Sequence, residues 1–380
     1  MKIVYISNTL INVAGTERIW TDKMNYLANN DKYQVYLITA SQDNHQFPFP
    51  LSVKIKHIDL NIRFHTQYQY TYPKRLLIKW QMKQNLKKKL RNIISDIDPD
   101  IIIATTYWNA DVVCNLKCRG KKIIESHCVK YHTNINEIAN LPIIKKISNH
   151  IFTWRYNRII EKKSDVLITL TQNDAKEWKK AKNTMVIPNI ITNPTHRHSD
   201  CSFHRAIAVG RLTYQKGFDL LLEVWKDVHA KHPDWRLDIF GEGDDRQKLI
   251  KQIADYKMNN CVTIHPTNLR IQEEYLNSSI YILSSRFEGF ALTLIEAMNC
   301  GVPCISFDCP HGPSEIIKNQ SDGILVENNN IHQMAESLCY LIENEGIRKA
   351  YGKKAKENVK RFLPENIMPQ WEQLFKELIK

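Results

Sequence analysis

Two glutamates stand on either side of the point where a short apolar run gives way to a helical pattern. Glu288 follows the run Ile280–Leu283, and Glu296 comes after seven intervening residues, among apolar residues on helical spacing. We predict a buried strand, a turn that holds Glu288, and a helix that carries Glu296 about two turns from its start. The N–H groups at the start of a helix favour a phosphate through hydrogen bonds and the helix dipole.

Carboxylates do not bind phosphate, so these two glutamates are suited to hydroxyl groups. The pattern therefore fits an anhydride between two hydroxyl-rich groups, which is the chemistry of a nucleotide sugar. Taken by itself, the stretch also fits a plain strand-to-helix turn with two solvated carboxylates, because short motifs recur by chance.

Two cations follow another predicted strand. Ala206–Val209 is the strand, and Arg211 and Lys216 lie in the loop after it. Such a pair can clamp a diphosphate, and each charged hydrogen bond contributes about 1.5–3 kcal/mol. Two solvated loop cations remain the alternative.

The first half of the chain offers two further candidates. Gly15 follows the predicted strand Lys2–Ser7 and precedes a helix, without the G-x-G-x-x-G spacing of a dinucleotide site. A glycine there can let a ligand approach the backbone, or can serve as a turn residue. His127 follows the predicted strand Lys122–Ser126 at the carboxyl edge, where open α/β sheets bind ligands. It can donate to a phosphate or sugar oxygen, accept a proton, or be structural.

The segment from Lys74 to Ile94 is strongly basic. It holds eight Lys and Arg residues, and no acidic residue occurs between Asp59 and Asp96. A basic amphipathic helix of this kind can lie on an anionic membrane surface. It can equally be a crossover helix with solvated lysines, and both interpretations stay open. The segment from Lys145 to Lys163 could extend the surface, whereas no nucleic-acid-binding motif accompanies the charge.

The strands and helices that would position these residues alternate along the chain in two successive sets. A chain of 380 residues predicts about two domains, and strands alternating with helices predict α/β units with parallel, doubly wound sheets. We place the domains at residues 1–190 and 205–360. The linker between them is Ile190–His204, in which apolar residues do not recur at the spacing of a helix or strand.

The charge is unevenly distributed between the two halves. Residues 1–195 carry 30 basic against 15 acidic side chains, and the remainder carries 23 against 25. An anionic partner is therefore expected for the first half.

The remaining composition excludes several classes of site. The nine cysteines lack C-x-x-C pairs and are interpreted as buried thiols in a reducing compartment. The linker histidines His196, His198 and His204 lie in a flexible segment without neighbouring groups to orient them, so they are not expected to bind a metal. No signal peptide and no run of about 18 apolar residues occurs, so we expect a cytoplasmic protein.

Taken together, these motifs resemble the retaining glycosyltransferases of family 4, which have the GT-B fold. The resemblance covers nearly the whole chain and is most specific in its second half. The residues that carry it are Val209–Leu212 with Lys216–Asp219, Glu288 with Glu296, Ala14–Arg18, and Ile187–Asn189. The N-terminal loop of that family often has two glycines, and here Ala14 takes the first position.

The resemblance implies two Rossmann-like domains facing across a cleft, with residues 361–380 forming a helix that crosses back to the first domain. Arg211 and Lys216 would neutralise the leaving diphosphate, so no metal or other cofactor is needed. Glu296 would bind the ribose and Glu288 the sugar hydroxyls, and transfer would retain the anomeric configuration. Glu288 and His127 are the implied catalytic residues. The implied donor contacts are Gly15, Arg211, Lys216, Glu288, Gly289, Phe290, Ala291, Leu292 and Glu296.

The loop Phe307–Ile317 is most similar to members that build bacterial surface polysaccharide or glycolipid from galactose-type donors. With the basic first half, this resemblance implies a UDP-linked hexose of the galactose or N-acetylgalactosamine type and a saccharide or lipid-linked acceptor. The protein would then lie peripherally on the inner face of the cell membrane. Two rivals stay open, namely a UDP-sugar epimerase of the same fold and a membrane-surface binding protein without activity.

Overall fold

The computed structural model describes residues 1–127, 130 and 143–380. The chain divides into two compact units. The first unit contains Met1–Leu170, Asp174–Ile187 and Met368–Lys380, and the second contains Thr171–Asn173 and Pro188–Ile367. The last part of the C-terminal helix thus groups with the first unit, and residues 188–204 group with the second.

The first unit is built on a parallel sheet of seven strands in the described part of the chain, in the order 3-2-1-4-5-6-7. The strands are β1 (Lys2–Ser7), β2 (Gln34–Thr39), β3 (Lys56–Asp59), β4 (Ile101–Thr105), β5 (Lys121–Ser126), β6 (Val166–Thr169) and β7 (Thr184–Val186). The central strands are buried along most of their length, as expected for a sheet covered on both faces.

Helices of the described residues connect these strands. They are α1 (Gly15–Ala28), α2 (Lys74–Ile97), α3 (Ala110–Cys114), α4 (Ile143–Lys163) and α5 (Gln172–Glu177). A short 3₁₀ helix, Phe64–Gln69, precedes α2. The core of this unit includes Leu86, Leu90 and Ile94 of α2, which pack against the sheet.

The second unit is built on a six-stranded parallel sheet in the order 10-9-8-11-12-13. The strands are β8 (Arg205–Val209), β9 (Arg236–Phe240), β10 (Val262–His265), β11 (Ile280–Leu283), β12 (Cys304–Phe307) and β13 (Gly323–Val326). This is the doubly wound order of a Rossmann-like sheet, in which strand order reverses between the first and fourth strands. The reversal lies between β8 and β11.

The helices after residue 210 are α6 (Phe218–Lys231), α7 (Arg246–Asp255), α8 (Ile271–Leu276), α9 (Leu292–Asn299), α10 (Pro313–Ile316), α11 (Ile331–Glu343), α12 (Glu345–Asn358) and α13 (Pro364–Ile379). Two 3₁₀ turns, Tyr214–Lys216 and Val359–Phe362, complete the elements. Leu221, Leu222 and Trp225 of α6 are fully buried in the core of the second unit.

The prediction of two Rossmann-like α/β domains with parallel sheets is confirmed. Two local predictions need correction. The apolar pattern of Val53–Leu60 predicts the third strand, but the strand runs from Lys56 to Asp59, because Val53 is fully exposed in a turn. Glu296 is the fifth residue of α9, about one turn from its start rather than two.

All eight cysteines of the described residues have free thiols, and all but the half-buried Cys118 are buried. Burial raises the pKa of Cys309, and the nearby Glu288 carboxylate raises it further. These thiols are therefore protonated and pack as small apolar groups.

Candidate functional site

Two loops at the carboxyl edge of the second sheet hold most of the predicted donor-binding residues. Residues 210–217 follow β8 and are called the β8 loop; residues 284–291 follow β11 and are called the β11 loop. The two strands pair directly, with Ala206 opposite Ile280 and Ile207 opposite Tyr281. The loops are therefore neighbours at the point where the strand order reverses, which is where open α/β sheets bind ligands.

Lys216 and Glu288 are in direct contact. Lys216 Nζ donates to Glu288 Oε1 over 2.6 Å. Ser285 Oγ donates to the same oxygen, also over 2.6 Å. Both charged side chains are largely buried, with 14% of the Lys216 side chain and 6% of the Glu288 side chain exposed. The arrangement places an ammonium and a carboxylate, both oriented by neighbours, at one spot on the sheet edge.

Further hydrogen bonds join the two loops. Ser284 Oγ donates to the Lys216 carbonyl over 2.9 Å. Gln215 Nε2 donates to the Phe287 carbonyl over 3.1 Å. The Arg286 N–H donates to the Gln215 carbonyl over 2.8 Å. These bonds fix the backbone of each loop against the other, so the Lys216–Glu288 contact does not depend on two flexible side chains.

Arg286 of the β11 loop contacts both the β8 loop and the start of α6, and its Nη1 donates to the Tyr214 carbonyl over 2.8 Å. Its guanidinium donates to both carboxylate oxygens of Asp219, over 2.8 and 2.6 Å. It also lies over the Tyr214 ring, 4.1 Å from the centroid. Its hydrogen bond to Asp219 raises the pKa of Arg286. A bidentate pair of this kind fixes geometry as well as contributing energy.

Arg211 lies in the same loop and is exposed. Its Nη2 is 3.4 Å from Gln215 Oε1, at the outer limit of a hydrogen bond. The structure thus brings Arg211 and Lys216 to one loop, with one cation buried against Glu288 and the other facing solvent.

Glu296 lies on α9 beside a buried tyrosine. Tyr275 Oη donates to Glu296 Oε2 over 3.2 Å. The Tyr275 residue is 1% exposed, and burial with the nearby Glu296 charge raises the pKa of Tyr275. Tyr275 therefore remains a hydrogen-bond donor that orients the Glu296 carboxylate.

The turn between Glu288 and α9 has an uncommon backbone. Ala291, the residue before α9, has φ 59° and lies in the left-handed region. Phe290 is buried, with its ring 5.5 Å from the Phe362 ring. Gly312 packs against this turn, since a Cβ there would lie 3.2 Å from Glu288 Cβ. Gly289 and Leu292 complete the turn, so the four predicted donor contacts from Gly289 to Leu292 belong to one continuous segment.

Gly217 has a structural reason to be a glycine. Its φ is +62°, and a Cβ at this position would lie 2.1 Å from the Ser284 carbonyl oxygen. The β8 loop can approach the β11 loop this closely only because glycine has no side chain.

The other two predicted site residues lie in the first unit. Gly15 is the first residue of α1, after an extended Ala14. His127 directly follows β5, and its Nε2 is 2.8 Å from Glu125 Oε2. The His127 residue is half-buried although its side chain is 3% exposed.

Sequence reasoning missed several residues that orient the proposed groups. Ser285, Gln215, Arg286 and Tyr275 contact charged or loop groups of the site, yet none was assigned a role. Ser285 lies only three residues before its partner Glu288, so its contact could have been found from the sequence. Gln215 contacts the β11 loop and Arg286 contacts Asp219, and these contacts follow from the pairing of β8 with β11. Tyr275 of α8 contacts Glu296 of α9, which no local pattern indicates.

The basic helix α2 divides into two parts. Leu86, Leu90, Ile94 and Ile97 are buried, so the second half packs on its own sheet as a crossover helix. In the first half, Leu76, Leu77 and Trp80 are each at least half exposed. The first half of α2 therefore presents basic side chains together with apolar side chains that face solvent.

A second exposed apolar set lies on α4, where Ile147, Ile151, Phe152 and Trp154 are each more than half exposed. An open pocket of about 440 Å³ lies along this helix and includes Phe152, Arg155 and Asp111 of α3 in its lining. α3 connects α4 to α2, because the Ala110 N–H donates to Tyr156 Oη over 2.9 Å and Lys83 pairs with Asp111 over 2.7 Å. We name the exposed residues of both helices the aromatic–basic surface.

Within the residues that the structure describes, no group of three or more His, Cys, Asp or Glu side chains is placed to hold a metal ion. None of the helices in that part of the chain is long and apolar enough to cross a membrane.

Comparison with known proteins shows which families and structures this chain is similar to. Residues 203–358, which contain the β8 and β11 loops, match the family model described as "Glycosyl transferases group 1". The amylovoran biosynthesis glycosyltransferase AmsD of Erwinia amylovora is 27% identical over 380 residues, covering 97% of this chain and 98% of AmsD.

Two solved structures share the fold across both units. Sucrose-phosphate synthase of Thermosynechococcus elongatus has a TM-score of 0.81 at 19% identity, covering 100% of this chain and 99% of the synthase. A TarM variant of S. aureus, crystallised with fondaparinux, α-GlcNAc-glycerol and UDP, has a TM-score of 0.76 at 17% identity, covering 99% of this chain and all of TarM. The predicted GT-B fold is confirmed, and the comparisons together support glycosyltransferase activity.

Proposed function

We propose that the protein transfers a hexose, of the galactose or N-acetylgalactosamine type, from a UDP-linked donor to a saccharide or lipid-linked acceptor in bacterial surface polysaccharide or glycolipid synthesis. The observation that carries this proposal is the contact between Lys216 and Glu288 at the carboxyl edge of the second sheet. One residue supplies a cation for phosphate and the other a carboxylate for hydroxyl groups, at a single spot.

The donor would lie across the two loops. Its diphosphate would meet Lys216 and Arg211, and the N–H groups at the start of α9 would add the favourable end of a helix dipole. Glu296, oriented by Tyr275, would accept hydrogen bonds from the ribose hydroxyls. Glu288, oriented by Ser285, would accept them from the sugar.

The leaving group in this scheme is a nucleoside diphosphate whose negative charge grows as the sugar–phosphate bond breaks. A buried, preorganised ammonium stabilises that charge more strongly than a solvated one would. Lys216 therefore has the role that a divalent cation has in other transferases, and we propose that the reaction needs no metal ion and no other cofactor.

We propose retention of anomeric configuration, with Glu288 acting through position and charge rather than as a nucleophile. Its carboxylate is occupied by Lys216 and Ser285, which suits a positioning role. His127 and Gly15 are proposed as the contributions of the first unit to binding the sugar and the donor. Because the side chain of His127 is 3% exposed, its main chain is the accessible part of the residue.

The donor and pathway are supported by the proteins that this chain resembles. AmsD is described as an enzyme of amylovoran biosynthesis, and the TarM structure contains UDP. These similarities favour a UDP-sugar and a bacterial polysaccharide.

We also propose that the aromatic–basic surface contacts an anionic membrane. Exposed Trp80, Phe152 and Trp154 can enter the interface, and the eight basic residues between Lys74 and Ile94 are attracted to anionic headgroups. A lipid-linked acceptor would be met at such a surface.

The proposal is tested by titrating the protein with UDP-glucose, UDP-galactose, their N-acetylamino counterparts and GDP-mannose. Binding would be measured by calorimetry, and slow hydrolysis by release of the nucleoside diphosphate, with and without EDTA. We expect one UDP-sugar to bind and be hydrolysed, EDTA to have no effect, and Lys216→Ala to weaken both signals. Absence of binding by every nucleotide sugar would refute the proposal.

The same experiment separates the rival activities. An epimerase would convert the UDP-sugar to its isomer without an acceptor, which NMR of the sugar detects. A membrane-binding protein without activity would bind vesicles but no donor. The proteins matched by comparison are transferases and a synthase, so neither rival is favoured.

A further inference from the structure

A buried charged network lies beneath His127 in the first unit. Lys23 of α1 is 2% exposed, and its Nζ donates to both Glu125 oxygens over 2.8 Å each. Glu125 Oε2 also lies 2.8 Å from His127 Nε2. Trp371 of α13 covers the ammonium, with its ring centroid 3.5 Å from Nζ.

Burying this charged network in the core has a large desolvation free energy. Removing two charges from water costs several kcal/mol per ion, and well-packed apolar residues of the same volume often stabilise a fold as well or better. Helix α1 already buries Ile19, Trp20 and Met24 against the sheet. A methionine at position 23 would continue that pattern, so the charges point to a role beyond packing.

The protonation of the network follows from its contacts. Burial alone would raise the pKa of Glu125, but Lys23 and the hydrogen bond from His127 lower it to about 2. An ionised carboxylate can only accept hydrogen bonds. His127 Nε2 therefore carries a proton and donates it, which sets the tautomer and the ring orientation.

The remaining groups around Glu125 support this assignment. Burial, followed by the charge of Glu125, raises the pKa of Tyr5 of β1, so the phenol stays neutral. Lys23 thus supplies the positive charge that balances the carboxylate from α1, and Trp371 stabilises the ammonium by a cation–π contact.

We propose that Lys23 and Glu125 are positioning residues for His127, and that they hold the peptide group at the carboxyl edge of β5 for contact with the transferred sugar. This inference rests on the proposed function, in which His127 contacts that sugar. The imidazole is an anchor: its ring is buried and tied to Glu125, and the main chain of the residue is what solvent reaches.

The test uses paired, volume-conserving substitutions in the full chain. Lys23→Met with Glu125→Gln removes both charges together, so neither an ammonium nor a carboxylate is left buried without its partner. We expect this double variant to fold with a melting temperature near that of the wild type, to keep the donor KM, and to lose about 10-fold or more in kcat, since positioning contacts contribute to the reacting geometry. The matched control is Lys54→Met with Asp31→Asn, which removes an exposed ion pair of the same unit.

Single substitutions keep the test decisive if the double variant fails to fold. Lys23→Arg retains the positive charge, so its kcat should stay near the wild-type value. Glu125→Gln removes the carboxylate and should lower kcat. A folded double variant with wild-type kcat would overturn the inference. That result differs from failure of the proposed function, in which the wild type itself shows no transfer or Lys216→Ala transfers at the wild-type rate.

Discussion

Lys216 Nζ and Glu288 Oε1 lie 2.6 Å apart in a largely buried position, with Ser285 donating to the same carboxylate oxygen. The cation proposed for phosphate and the carboxylate proposed for the sugar therefore form one coupled pair. A bound diphosphate would share the Lys216 ammonium with Glu288. Changes to either partner should affect donor binding and transfer together.

Replacing Lys216 with alanine should lower the transfer rate by about 100-fold, because one preorganised charge contact to the leaving group is lost. The measurement is initial-rate kinetics with the preferred donor, alongside circular dichroism to verify folding. Lys248→Ala is the matched control, since Lys248 is an exposed lysine of the same unit. Equal rates in the Lys216 and Lys248 variants would remove Lys216 from the site.

Glu288→Gln should also reduce transfer by about 100-fold, since the amide keeps the shape of the side chain but loses its charge. The amide oxygen can still accept from Ser285, so we expect the fold to persist. Rates would be compared with those of Glu336→Gln, which changes an exposed glutamate on α11. A wild-type rate in Glu288→Gln would contradict the assignment of this carboxylate to the sugar.

Asp174 should make the stability of the protein fall as pH rises. Burial raises the pKa of Asp174 to about 7, although a hydrogen bond from Ser126 opposes this. Between its ordinary value of 3.8 and about 7, the folded state binds the proton more tightly than the unfolded state does. The stabilising proton is fully bound below that window and is lost as pH rises through it.

Asp174→Asn should therefore leave stability unchanged near pH 4 and raise it by about 4 kcal/mol at pH 8. Urea denaturation at both pH values measures the difference, and Asp96→Asn, at an exposed position on α2, is the control. A constant difference between variant and wild type at both pH values would show that Asp174 does not titrate in this way.

The aromatic–basic surface should bind vesicles that contain anionic phospholipid, and binding should weaken as salt is raised. Trp80→Ser should reduce binding because it removes an exposed aromatic side chain from that surface. Tyr340→Ser, at an exposed aromatic residue of the second unit, should have no effect. Co-sedimentation gives the bound fraction, and equal binding to neutral vesicles would count against an electrostatic contact.

Much of the fold could be predicted because strands and helices depend on the residues within each segment. Apolar runs such as Ile280–Leu283 and Lys2–Ser7 have the bounds that the sequence indicates, since buried parallel strands are short, continuous and flanked by polar residues. The Val53 error has the same origin: an apolar residue before a strand looks like part of it, although the chain turns there.

The candidate site was predictable only where chemistry follows from residue type and spacing. Lys216 and Glu288 stand at loop positions that the strand pattern reveals. The contacts of Lys216 with Glu288 and of Gln215 with the Phe287 carbonyl depend on which strands pair, and the pairing of β8 with β11 is absent from any local pattern. Helix α2 shows the same limit, because its charge is uniform while only its second half is covered by the sheet.

The pairing of β8 with β11 also has a consequence for how the protein is made. Lys216 and Glu288 are separated by 72 positions, so the ribosome completes three further strands and three helices before the carboxylate exists to meet the ammonium. Closing so distant a contact is slow compared with forming a local helix turn. A nascent or proteolysed chain ending before β11 therefore has the cations and no acidic partner, and it should be inert rather than partly active.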